Sequence, residues 1–169
     1  TCTMIIRKGI LADLDGIMHM YNSCVKGMIK NGIDQWDATY PNKETIEADI
    51  IAQTYFIALE NNIIIGGITI DENQDKTYLT IDWEDKSNLF LVVHRLAVKE
   101  EFWGNGIGKS LMLFTENLAI EKKVNSIRLD TYSGNPKTME FYLRLGYTQL
   151  GHIYLKEGKN EYYCFEKSI

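Results

Sequence analysis

The first apolar run, Met4 to Arg7, is short and strand-like. Leu11, Leu14, Ile17, Met18, Tyr21, Val25 and Met28 then recur at helical spacing. That spacing predicts one amphipathic helix, broken near Asn31-Gly32. A polar and aromatic loop, Asp34 to Pro41, leads to a second helix over Lys43 to Ala52, with Asn42 as its N-cap and acidic residues in its first turns. Tyr55 to Leu59 and Ile63 to Ile70 are β-branched and aromatic runs around Glu60-Asn61-Asn62, the pattern of a hairpin. Gly66-Gly67 within the second run calls for a bulge or a close backbone approach. Tyr78 to Trp83 is a weaker strand signal. Leu89 to Val98 is nearly continuous in apolar character apart from His94-Arg95, which fits a strand buried on both faces. Ile107, Leu111, Phe114, Leu118 and Ala119 mark a helix after a glycine-rich turn. Ser126 to Thr131 reads as strand and Pro136 to Leu145 as helix. Tyr147 to Leu155 and Glu161 to Glu166 read as a closing pair of strands around Glu157-Gly158-Lys159. This order predicts a mixed α/β sheet in one layer.

Composition narrows the class. A length of 169 residues fits one domain, residues 1–169, and 45% hydrophobic with 24% charged residues excludes a disordered chain. The net charge of −5 gives the molecule no attraction for nucleic acid or an anionic membrane. Cys2, Cys24 and Cys164 are odd in number and widely spaced, so neither a disulfide framework nor a zinc site is expected, and the thiols read as reduced. Thr1 to Lys8 has no long apolar core after a basic start, and no stretch reaches the ~18 apolar residues of a membrane span. The expectation is a soluble cytoplasmic protein without a metal.

The chemistry concentrates at Trp103-Gly104-Asn105-Gly106-Ile107-Gly108-Lys109-Ser110, between the best strand and a helix. Glycines in that setting let main-chain amides approach a phosphate. A Walker A loop needs four residues between its first Gly and Gly-Lys-Ser, whereas Gly104 and Gly108 enclose three. A Rossmann fingerprint needs a third Gly where Lys109 stands. Alternate-residue glycine remains. A second segment, Asn135-Pro136 through Tyr142 to Gly146-Tyr147, is self-sufficient as a helix: Asn135 suits the N-cap, Pro136 the first turn and Gly146 the C′ position.

Together, these two segments resemble the GNAT superfamily of N-acetyltransferases over about Phe90 to Tyr147. The resemblance implies a single-domain GNAT-like fold: a central, mostly antiparallel sheet with strands 4 and 5 splayed, flanked by helices. It implies acetyl-CoA as cosubstrate, its diphosphate gripped by amides of Asn105, Gly106, Ile107, Gly108 and Lys109 after Gly104. Trp103 stands where the family has Arg or Gln. The strand Leu89 to Val98 would place Leu96, Ala97 and Val98 nearest the cofactor. Asn135 would contact the pantetheine arm, and Tyr142 would act as general acid toward the departing thiolate. His94 resembles the His that arylalkylamine N-acetyltransferases use in proton removal, work that imidazole suits at neutral pH. Trp36, Trp83 and Asp130 are aromatic and acidic residues suited to a cationic acceptor. The expected reaction is direct transfer of acetyl to the primary amine of a small molecule or peptide, with a homodimer as a compatible assembly. The alternatives are a GNAT-fold acyl-CoA sensor without turnover and, more remotely, a nucleotide-binding protein.

Overall fold

The helical period of the first segment becomes α1 (Leu14–Lys30), entered through a 3-10 turn at Leu11–Asp13. Asp13 closes the entrance: its Oδ2 accepts the Ile10 amide and the Arg7 guanidinium, each at 2.8 Å. The Arg7 hydrogen bonds hold the Asp13 carboxyl below the usual carboxylate range against the opposing effect of burial. In α2 (Lys43–Ile51), the Asn42 carboxamide accepts the Thr45 amide at 2.8 Å, the N-cap its sequence predicts.

The structure, a computed structural model, describes residues 3–169. These form two compact units, one from the N-terminal part up to Ile70 with Arg95–Phe114, the other from Asp71–His94 with Thr115–Ile169.

In the first unit, β1 (Met4–Lys8), β2 (Tyr55–Glu60) and β3 (Ile63–Asp71) form an antiparallel ladder. Asn61 and Asn62 turn the β2–β3 hairpin with φ of +51° and +61°, values Asn tolerates better than most residues. The β2–β3 register shifts between Ala58, opposite Gly66, and Leu59, opposite Ile64, so the extra residue of the bulge is Ile65 on β3, next to Gly66-Gly67. Those glycines are also sites of close approach. A Cβ at Gly67 would fall on the Tyr55 hydroxyl, and one at Gly66 would meet Ile107 and Leu111 side chains at 3.1 Å. The core gathers Ile17, Met20 and Tyr21 of α1, Ile46 of α2, and Tyr55 and Ile57 of β2.

The second unit is built on β4 (Phe90–Val98), β5 (Ser126–Tyr132), β7 (Tyr162–Ser168) and β6 (Thr148–Ile153), adjacent in that order. The β4–β5 ladder is parallel and only three residues long, Phe90 to Val92 against Ser126 to Arg128. β5 runs on to Tyr132 with antiparallel β7 as its partner. Helix α4 (Pro136–Arg144) is tied to β5 by the hydroxyls of Thr131 and Thr138, 2.6 Å apart, and Gly146 leaves it at φ +91°. The remaining helix, α3 (Ile107–Glu121), starts in the first unit and ends in the second.

Tyr78 to Trp83 is not a strand. Lys76–Thr80 is a 3-10 turn whose first amides are met by Asp75, and Trp83 Nε1 donates to the Tyr78 carbonyl at 2.9 Å. Tyr78 and Trp83 both enter one cluster with Val92, Tyr132 and Cys164, so the period-2 alternation of a strand is not used. Cys24 and Cys164 are free and buried, and burial pushes their thiols up to about 11 and about 12; Cys2 lies outside the described residues. No helix among the described residues is long and apolar enough to cross a membrane.

Gly67→Ala should destabilise the protein by about 1–3 kcal/mol in urea unfolding, because the methyl must displace Tyr55. Tyr55→Phe in the same chain should restore part of the loss. Asp13 has a depressed folded pKa, so its stability contribution is full above the unfolded carboxylate value of about 4 and is lost as pH falls through the folded value. The gap between wild type and Asp13→Asn should therefore close in urea titrations stepped down in pH.

Candidate active site

Two glycines shape the turn before α3. Gly104 and Gly106 hold φ of +82° and +80°, and a Cβ at either would meet nothing within 4 Å. Glycine is required there by the backbone path, and open space lies beside it. The Trp103 and Asn105 amides donate to the Glu100 and Phe102 carbonyls at 3.0 and 3.2 Å, and Ser110 makes a helical bond back to Gly106 at 3.0 Å. Between them, the amides of Gly106, Ile107, Gly108 and Lys109 at the opening of α3 have no backbone acceptor among the described residues. They stand at the positive end of the helix dipole. Asn105 drops out of the amide set expected from sequence, because its N–H is already used inside the turn.

Trp103 turns back along the chain. Its Nε1 donates to the Val98 carbonyl at 2.8 Å, and its ring tip lies over Gly27 of α1, where a Cβ would collide with it at 2.7 Å. The Val98 carbonyl is thereby occupied. Leu96 is half-buried and Ala97 is buried.

Just upstream, Arg95 adopts φ +54° in the middle of β4, a left-handed conformation costing a non-glycine residue ~1–2 kcal/mol. A network within the first unit holds it. The Arg95 Nε and NH2 groups reach Asp49 Oδ2 of α2 at 2.9 and 2.7 Å, and NH1 donates to the Tyr40 hydroxyl at 3.1 Å. Thr69 of β3 donates to the same Asp49 oxygen at 2.7 Å. Tyr55 donates to the Tyr21 hydroxyl at 3.0 Å, which donates to the Arg95 carbonyl at 2.6 Å.

The second unit sets Asp130 within electrostatic reach of both His94 and Tyr142. His94 Nε2 lies 2.8 Å from Asp71 Oδ1, at the end of β3. Tyr78 donates to Asp130 Oδ2 at 2.5 Å. Burial raises the Asp130 carboxyl above its usual range, opposed by the Tyr78 hydrogen bond and by His94. Tyr142 is 6% exposed, and its hydroxyl makes no hydrogen bond among the described residues. Burial, reinforced by the Asp130 carboxylate, pushes its phenol above the ordinary value, so it stays protonated at neutral pH.

Asn135 is buried, yet its carboxamide does not cap α4. With ψ of 76° it lacks the extended backbone, ψ 166°, that aims the Asn42 side chain at its helix. The Thr138 hydroxyl donates to the Asn135 carbonyl at 2.8 Å, a bond that caps no amide. Trp36 packs edge-on against Tyr21, and Trp83 is covered by the Arg128 guanidinium 4.5 Å from its ring centre. Both indoles are core members of their own units. Asp71 and Tyr78 do not stand out in the sequence, Asp71 because it reads as a turn residue and Tyr78 because it lies in a segment read as strand. Among the described residues, no His, Cys, Asp and Glu groups are placed to hold a metal ion.

A family model, acetyltransferase (GNAT) family, matches residues 20–147. The chain belongs to the GNAT acetyltransferases. It is similar to the uncharacterized N-acetyltransferase YesJ of Bacillus subtilis (strain 168), 30% identical over 95 residues, which are 56% of this chain and 48% of that protein. The match thus spans about half the length of that relative. Among solved structures, a GNAT family acetyltransferase from Streptococcus agalactiae superposes with a TM-score of 0.85 at 24% identity, covering 98% of this chain and 95% of that one. PaiA N-acetyltransferase from Thermoplasma acidophilum, solved in complex with coenzyme A, gives 0.75 at 19% identity over 99% of each chain. These likenesses show the GNAT fold.

In this GNAT chain, the left-handed residue of β4 stands upstream of the glycine turn. Arg95→Ala leaves the Asp49 carboxylate without its cation and should cost about 3 kcal/mol in urea unfolding. Arg95→Gly loses the same ion pair but adopts positive φ freely, so it should be about 1 kcal/mol more stable than the alanine variant. The opposite ranking would show that the left-handed turn is not retained.

Proposed function

We propose that this GNAT chain transfers an acetyl group from acetyl-CoA to a primary amine, by direct attack in a ternary complex. The observation that carries the reading is the set of amides of Gly106, Ile107, Gly108 and Lys109, without acceptors among the described residues, at a turn of two left-handed glycines with open space beside them. Amides so placed receive a diphosphate without any formal charge on the protein. Neither the indole of Trp103 nor the amide of Asn105 joins this set.

Acetyl transfer from a thioester requires a neutral nitrogen and a proton for the leaving sulfur. Tyr142 suits the second task, being neutral at working pH and carrying an O–H with no partner of its own. His94 suits the first, as a ring with one nitrogen bonded to a carboxylate and the other unengaged. Asp130, its Oδ2 held by the Tyr78 hydroxyl, is the acidic residue proposed to face a cationic acceptor. Asn135, whose carboxamide is not used by α4, is the residue proposed for the pantetheine arm.

A panel of primary amines offered with acetyl-CoA should give amine-dependent release of free thiol. Binding of acetyl-CoA without thiol release from any amine would instead identify a sensor module. Tyr142→Phe should lower kcat about 10²-fold while leaving the Kd for acetyl-CoA unchanged, the signature of a lost general acid. His94→Gln should flatten the acidic limb of the pH–rate profile.

A further inference from the structure

The pairing of Asp71 with His94 is more than a surface ion contact. The two side chains are only 11% and 22% exposed, which limits the solvent competition that weakens exposed pairs. The carboxylate is itself fixed: Asp71 Oδ1, the oxygen that meets the ring, also accepts the Asn73 amide at 2.9 Å. An ionised carboxylate only accepts hydrogen bonds, so a neutral His94 must carry its proton on Nε2. Its lone pair then lies at Nδ1, which has no hydrogen-bond partner among the described residues. The other ionisable groups near the ring are Asp75 and Asp130, the latter bonded to Tyr78.

We propose that Asp71 is the positioning residue of His94, fixing the Nε2–H tautomer so that Nδ1 faces the acceptor ammonium, and stabilising the imidazolium that forms. The inference rests on the acetyl-transfer reading given under Proposed function. Nδ1 takes one proton from the ammonium, and the electron pair of the broken N–H bond stays on nitrogen. That pair forms the C–N bond to the acetyl carbon while the C–S pair leaves on sulfur. Tyr142 protonates the sulfur and recovers a proton from the acylated nitrogen, and His94 releases its own proton to solvent. Asp71 touches neither substrate and acts only through the ring.

The test is Asp71→Asn, which nearly preserves volume but can offer an N–H to Nε2 and so favours the opposite tautomer. Nitrogen NMR of histidine-labelled protein should show His94 as the Nε2–H form in the wild type and as Nδ1–H or a mixture in the variant. The kcat should fall about 10–100-fold, the range for loss of a group that orients an imidazole, with the KM for acetyl-CoA unchanged. In a His94→Gln background, the same substitution should cost less than about twofold, because its effect passes through the ring. An unchanged His94 tautomer in Asp71→Asn would overturn the proposal, as would an equal loss in both backgrounds. Wild-type turnover in His94→Gln would overturn the base role and the proposal with it. That failure is told apart from a failure of Asp71 alone because the tautomer would still change.

Discussion

A single left-handed residue in the middle of a β-strand is the constraint around which the first unit is organised. Arg95 cannot hold φ +54° by its own preference. The structure determines it several times over, through Asp49 from α2, Tyr40 from the preceding loop and Tyr21 from α1. Thr69 and Tyr55 hold those partners in turn. Each contact is modest, but together they make the extended alternative leave Asp49 with a charge partly buried and unpaired. The kink falls where the buried residues Leu91 to Val93 give way to the half-buried stretch His94 to Leu96. Leu96 to Val98, which follow it, lead into a 3-10 turn at Glu100–Phe102 and then the glycines.

Much of this architecture was legible along the chain. The helical period of α1, the hairpin at Asn61-Asn62, the Asn42 cap and the glycine turn each follow from local preference, and local preference was obeyed. The departures have a common cause. Tyr78 to Trp83 carries strand-forming residues, but two large aromatics find more burial by folding into one cluster than by alternating across a pleat. Asn135 has the residue type of an N-cap, but its carboxamide accepts no helix amide, and the Thr138 hydroxyl donates to the Asn135 carbonyl, a bond that caps no amide. Gly66-Gly67 is no departure: the β2–β3 register shifts beside it, and Tyr55 and α3 occupy the space left by its absent Cβ atoms.

The candidate site was legible as residue types rather than as pairings. His94, Tyr142 and Asp130 could be picked out, but nothing in the sequence joins Asp71 to His94 across 23 positions or Tyr78 to Asp130 across 52. Those separations are closed by the sheet. Arg128 illustrates the same point: it lies between Trp83 and Phe90 at 4.5 and 4.1 Å from their ring centres. An indole that composition offers to a cationic ligand is thus already taken by a cation of the protein.

The three indoles differ in a way that gives the molecule an optical handle. Trp36 and Trp83 are 8% and 6% exposed and sit inside packed clusters, whereas Trp103 is 38% exposed and stands at the entrance to the glycine turn. A water-borne quencher reaches Trp103 far more readily than the other two. Its accessible emission therefore reports from one place on the chain, next to the amides that open α3, and anything that settles on that turn changes the light the protein gives off without a label being added.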